Sequence, residues 1–107
     1  MNLVFKALAD PTRRRVLELL RNGPMTAGEL SDHFPVSKPT MSAHFAVLRE
    51  ADLVDQVRAG KTISYVLKAS VLEEVLLGFA GAFAQVGATR AKKPQRRKTM
   101  LRKETTP

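Results

Sequence analysis

The 107-residue chain contains no cysteine and no tryptophan, and only one tyrosine beside five phenylalanines. Without cysteine there can be no disulfide, no thiolate metal ligand and no thiol nucleophile. No run approaches the roughly 20 apolar residues of a membrane span, so membrane insertion is not expected. Lys6 interrupts the apolar opening MNLVF too early for a secretory signal, and the expected location is the cytoplasm. There is no phosphate-cradling glycine motif and no carboxylate pair beside a base, which argues against an enzyme. No cofactor is expected.

Acidic residues are scarce overall, but the imbalance sits at one end. Residues 1–89 carry ten basic and nine acidic side chains, whereas residues 90–107 carry eight basic ones and a single acid, Glu104. The net charge of +8 therefore belongs mostly to the end of the chain, and the rest is nearly neutral. Residues 1–87 read as one small domain, and residues 88–107 as a basic, non-periodic tail, disordered in isolation.

What is present is a series of helical signals. Residues 3–9, LVFKALA, form a short helix whose Leu3, Val4, Phe5 and Leu8 offer more apolar surface than it can hide alone. Asp10 is placed to cap a second helix with Pro11 at its first position, running to about residue 21 with Val16, Leu17, Leu19 and Leu20 inward. Arg13, Arg14 and Arg15 fan around its start, as phosphate contacts or as a solvated face. Thr26 and Glu29 have capping-box spacing and open a third helix to about residue 34, with Leu30 and Phe34 inward. Pro35-Val36 then turns the chain into a fourth helix, a helix-turn-helix pattern.

The fourth helix and its exit, residues 37–54, read SKPTMSAHFAVLREADLV. Ser37 caps it, Lys38, Pro39 and Thr40 make the first turn, and Met41, Phe45 and Leu48 form one apolar stripe. The opposite face centres on Pro39, Ala43, Ala46 and Glu50, flanked by Thr40, Ser42 and His44. A solvated face usually carries lysine and glutamate; this one is small and nearly uncharged, which fits either a helix that enters a groove or a surface helix of low charge by chance. His44 lies beside the Phe45 stripe, so it is either a half-buried boundary residue or a base contact.

After residue 52 the period changes. Residues 53–58 and 62–67 alternate around the Ala59-Gly60-Lys61 turn and read as a β-hairpin with Arg58 and Lys61 at its tip. Ser70 and Glu73 have capping-box spacing before a last helix to about residue 86. Leu72, Val75, Leu76, Phe79 and Phe83 make its stripe, and no charge follows Glu74 until Arg90. So apolar a helix is expected to pack against a second subunit, the alternative being a core helix covered within the chain itself.

The order of elements is mainly α (α+β): a winged helix-turn-helix of five helices with one β-hairpin wing. The segments FKALADPTRRRVLELL, MTAGELSDHF, VSKPTMSAHFAVLREADLV and RAGKTISYVL, over about residues 3–84, resemble the ArsR-type bacterial repressors, and KPTMSAH is most similar to their SdpR-like branch. The resemblance implies a homodimer built through the first and last helices, here Leu3, Val4, Phe5, Leu8, Leu72, Val75, Leu76, Phe79 and Phe83. It implies recognition helices in successive major grooves and wings along the backbone. Metal-sensing members carry a thiolate motif where this chain reads ELSDHF, so no metal is expected, and His33 beside Asp32 lacks supporting ligands.

The expected function is a homodimeric, DNA-binding repressor, or autorepressor, of a palindromic operator on double-stranded DNA. Its DNA-contacting residues would be Ser37, Lys38, Pro39, Thr40, Ser42, Ala43, His44, Arg58 and Lys61. It would be nucleoid-associated when bound to DNA. Two alternatives stand beside it: a sequence-independent DNA-compacting protein, and a regulator sequestered by a protein partner acting as inducer.

Overall fold

The computed structural model describes residues 2–90, with the side chains of residues 3–84. The chain divides into two compact units, one through Val75 and one from Leu76 onward. The first unit starts with helix α1, Asn2–Leu8, and helix α2, Pro11–Leu19, which ends in a tight 3-10 turn at Leu20–Asn22. Asp10 caps α2 as its sequence position suggests: its carboxylate accepts from the backbone N–H of Thr12 at 2.7 Å and of Arg13 at 3.3 Å. Those are two of the N–H groups that a helix start otherwise leaves unsatisfied. Gly23 ends the turn with φ at 133°, a conformation that excludes a β-carbon without strain.

Strand β1, Met25–Thr26, leads into helix α3, Ala27–Ser31. The Thr26 hydroxyl accepts from the Glu29 N–H at 3.0 Å, and the Glu29 carboxylate accepts from the Thr26 N–H at 2.8 Å, the reciprocal capping box. The helix stops at Ser31, shorter than the expected end near residue 34. Turn hydrogen bonds from the N–H groups of His33 and Phe34 to Leu30 and Ser31 carry the chain onward.

Helix α4, Lys38–Glu50, is followed by strands β2, Val54–Ala59, and β3, Thr62–Leu67, and by helix α5, Ala69–Arg90. The α4 exit is a Schellman motif. The N–H of Leu53 reaches the carbonyl of Leu48, that of Asp52 reaches Arg49, and Asp52 takes a left-handed φ of 62°. Asp52 then receives the Lys68 ammonium at 2.7 Å, a hydrogen bond that holds the Lys68 pKa above its ordinary value.

The wing is a three-stranded antiparallel sheet in the order β1-β3-β2. The hairpin runs from Val54↔Leu67 to Ala59↔Thr62, and Met25 pairs with Tyr65 on the other edge of β3. The third strand, β1, has no counterpart among the expected elements, since two residues present no alternation to detect. The hairpin turn is Gly60-Lys61, with Gly60 at φ 62°.

The α4 stripe closes the core: Met41, Phe45 and Leu48 are all buried, with Val16, Leu17, Leu20, Leu30, Leu53 and Tyr65 around them. Phe45 stacks on Tyr65 at 4.6 Å between ring centroids, tying the helix to the sheet. Val4 and Ala7 of α1 belong to this same core.

Helix α5 departs from expectation at both ends. It begins at Ala69, which puts Ser70 inside the first turn rather than at the cap, and it continues to Arg90 rather than ending near residue 86. Residues 88–90 of the expected tail are thus helical, and the remainder of that tail lies outside the described residues. Among the described residues no helix is long and apolar enough to cross a membrane.

Candidate nucleic-acid interface

The first turn of α4 is held by two hydroxyls. The Ser37 oxygen accepts from the Thr40 N–H at 3.3 Å, and its own proton is donated to the Thr40 oxygen at 2.9 Å. Ser37 is thereby occupied as a cap, while the Thr40 proton stays available for an acceptor outside the protein. Ser37, Lys38, Pro39, Thr40, Ser42 and Ala43 are all exposed. Ala46 continues this slim surface along the helix.

His44 is half-buried, and its Nδ1 lies 3.1 Å from Nη1 of Arg13. The same guanidinium donates from Nε to the Ala7 carbonyl at 2.9 Å and from Nη2 to the Lys6 carbonyl at 2.8 Å. Arg14 donates to the Leu8 carbonyl at 2.6 Å, and Arg15 pairs with Glu18 at 3.1 Å. A helix leaves its last carbonyls short of backbone donors, and two arginines of α2 supply donors to those of α1. The run of arginines is therefore neither a simple solvated face nor a set of loose phosphate contacts. Arg13 is the residue of this region that sequence reasoning undervalued, and only its place in a consecutive basic run marked it.

Asp10 shares this junction. Burial works to raise its carboxyl pKa, but the N–H groups of Arg13 and Thr12, together with the charge on Arg13, hold it below its ordinary value of 3.8.

At the hairpin tip Arg58 and Lys61 are exposed, and the strand register sets Arg58 opposite Ile63. Among the described residues Lys38, Arg58 and Lys61 take part in no ion pair. The C-terminal end of α4 has the opposite character: an open groove lined by Arg49, Glu50, Asp52 and Asp55 separates it from β2. Lys68 pairs with Asp52 and Asp55 and Arg49 adds a cation, but three carboxylates still leave this end more acidic than the first half of α4, whose only charge is Lys38.

The residues expected at a subunit interface fall into distinct groups. Val4, expected at the subunit interface, is buried in the chain's own core; Leu8, Leu72 and Val75 pack partly against that core, and Phe5 is half-buried. Leu3 and Leu76 are each 44% exposed, Phe83 is 57% exposed, and the Phe79 and Phe83 ring centroids lie 5.1 Å apart with the rings tilted by 59°. Leu77, absent from the expected stripe, is at 65% the most exposed large apolar residue among the described residues.

A helix-turn-helix domain family matches residues 8–57. The transcriptional repressor SdpR of Bacillus subtilis (strain 168) is 47% identical over 74 residues, covering 69% of this chain and 82% of that protein. The HTH-type transcriptional regulator Rv2034 of Mycobacterium tuberculosis is 46% identical over 63 residues, 59% of each chain. Among solved structures, an ArsR family transcriptional regulator superposes with a TM-score of 0.73 at 30% identity, over 78% of this chain and 92% of that one. The wing, the capped fourth helix and these likenesses agree: the chain belongs to the ArsR family of winged helix-turn-helix transcriptional repressors.

Proposed function

We propose that this repressor works as a homodimer on a palindromic operator, reading it with the first half of α4 in the major groove. The observation that carries the reading is the α4 surface itself. Pro39, Ala43 and Ala46 let the helix approach closely, and the Thr40 proton is free for an acceptor outside the chain. Ser42 and His44 extend the same surface, while Lys38, Arg58 and Lys61 hold phosphates and set register without reading sequence. With two such helices related by a two-fold axis, half-sites would lie about 34 Å apart or a multiple of that.

Support for the dimer comes from α5, where Leu76, Leu77 and Phe83 expose apolar surface along a segment with no charge. Within the first unit, Leu3 of α1 exposes a further apolar side chain, and Leu8, Leu17, Leu67 and Leu72 line an apolar hollow. Acting on DNA, the protein would reside in the cytoplasm, on the nucleoid when bound. On this reading the protein represses its own gene, and a protein partner is the releasing signal.

Genome-wide footprinting tests the reading. A single palindrome upstream of the protein's own gene is the expected result, whereas uniform coverage would favour a DNA-compacting role. Residues 90–107 add non-specific affinity on this reading. Their deletion should flatten the salt dependence, by about 0.9 in log–log slope for each phosphate they no longer neutralise, and leave operator preference intact.

A further inference from the structure

We propose that Arg13 is a positioning residue for the recognition helix: it locks His44 as the Nε2–H tautomer and so presents a fixed imidazole donor to an acceptor on DNA. The proposal rests on α4 being the DNA-contacting helix. Its core is a proton count. A guanidinium has five N–H donors and no acceptor, so the ring nitrogen it meets must hold a lone pair. Nη1 of Arg13 meets Nδ1 of His44 at 3.1 Å, which leaves the single proton of the neutral ring on Nε2.

Arg13 is itself immobilised. Its other donors are anchored on the Lys6 and Ala7 carbonyls, and its backbone N–H lies in the Asp10 cap. The orientation of a side chain on α4 is thus set from the junction of α1 and α2, 31 residues away in sequence. A half-buried ring with one side held in this way loses little rotamer freedom when Nε2–H finds a partner. The partner must be an acceptor: a purine N7, guanine O6 or thymine O4 in the groove, or a phosphate oxygen. Together with the Thr40 proton, the first half of α4 offers donors to acceptors.

The test uses the full chain. Long-range proton–nitrogen correlation of the imidazole rings, without DNA, should show His44 in the Nε2–H form. Arg13→Met should release it into a mixture of tautomers, with exposed His33 unchanged as the internal reference. A His44 ring in the Nδ1–H form, or one indifferent to Arg13→Met, overturns the locking.

Because Arg13→Met also removes a cap from α1, a second pair of variants acts at position 44. His44→Asn keeps an acceptor near the Nδ1 position for Arg13 but ends short of Nε2. His44→Gln reaches the Nε2 position with an N–H. His44→Asn should keep the wild-type melting temperature and lose about tenfold in operator affinity, while His44→Gln stays within about threefold. Operator binding by His44→Asn equal to wild type overturns the donor role.

Two DNA arms identify the acceptor. If 7-deazapurine at one base pair weakens the wild type but not His44→Asn, the partner is a base edge. Equal weakening of His44→Asn on operator and random DNA makes it a phosphate. Wild-type binding by Ala43→Glu would show instead that this face of α4 does not meet the DNA, overturning the DNA half of the proposal while the tautomer result stands.

Discussion

Helices α4 and α5 both expose surface that carries little charge, and they differ in the volume of what they expose. On α4 the outward residues are small, Pro39, Ala43 and Ala46, while Met41, Phe45 and Leu48 close the inner side completely. On α5 the inner anchors are Val71, Leu72 and Val75, and from Leu76 onward bulky residues stand exposed. The same lack of charge therefore means different things. A slim face with hydroxyl and imidazole groups can lie in a groove, where each polar atom finds an acceptor. A face of leucine and phenylalanine is satisfied only by another apolar surface. Low charge alone points to a partner, and side-chain volume says which kind.

The comparison can be broken first at its inner side. Phe45→Ala should destabilise the fold by about 3–5 kcal/mol, read by denaturant titration, because it empties a site packed on Tyr65. A destabilisation below about 1 kcal/mol would mean that α4 is not part of the core.

Next, Leu76→Glu combined with Phe83→Glu should convert a dimer into a monomer in sedimentation experiments. Operator affinity should fall by roughly 100-fold, because a monomer engages one half-site at a time. A dimer that survives this change would place the interface elsewhere.

Ala43→Glu acts on the opposite face. It should cost about 2 kcal/mol in operator binding and within about 0.5 kcal/mol in stability, since it adds a repelled charge to an exposed position. Thr40→Ala should weaken binding by about 1 kcal/mol for the missing hydroxyl. Normal binding by both variants would mean that another face of α4 meets the DNA.

The smallest effect belongs to the junction behind α4. Asp10→Ala should cost about 1 kcal/mol of stability at neutral pH through removal of the cap. The folded-state pKa of Asp10 is depressed, so its contribution is fully present above 3.8 and disappears as pH falls through the folded value. Acid titration of stability in Asp10→Asn should lack that part of the decline.

Much of this was legible because it is local. Asp10, Thr26 and Ser37 are caps in the structure as they are in the string, since each bonds an N–H two or three residues away. The Met41, Phe45 and Leu48 stripe is likewise a matter of helical period. Ser70 misled for the same local reason. Its spacing to Glu73 is that of a cap, but α5 starts at Ala69, directly after the Lys68 N–H bonds the carbonyl of Leu53. Strand β1 was invisible because Met25 and Thr26 become a strand only when Tyr65 and Ser64 lie beside them.

The starts of α2, α3 and α4, the hairpin with its glycine turn, the inner stripe of α4 and the two nearly uncharged faces were written in the order of residues. Each depends on residue types within a few positions of one another. Packing alone settled which polar groups are already engaged. Arg13 reads as one of three surface arginines until α1 brings its carbonyls to the guanidinium and α4 brings His44. Hydrogen-bond partners across 31 residues are set by how the helices meet, and no local pattern encodes which nitrogen of a ring must keep its lone pair.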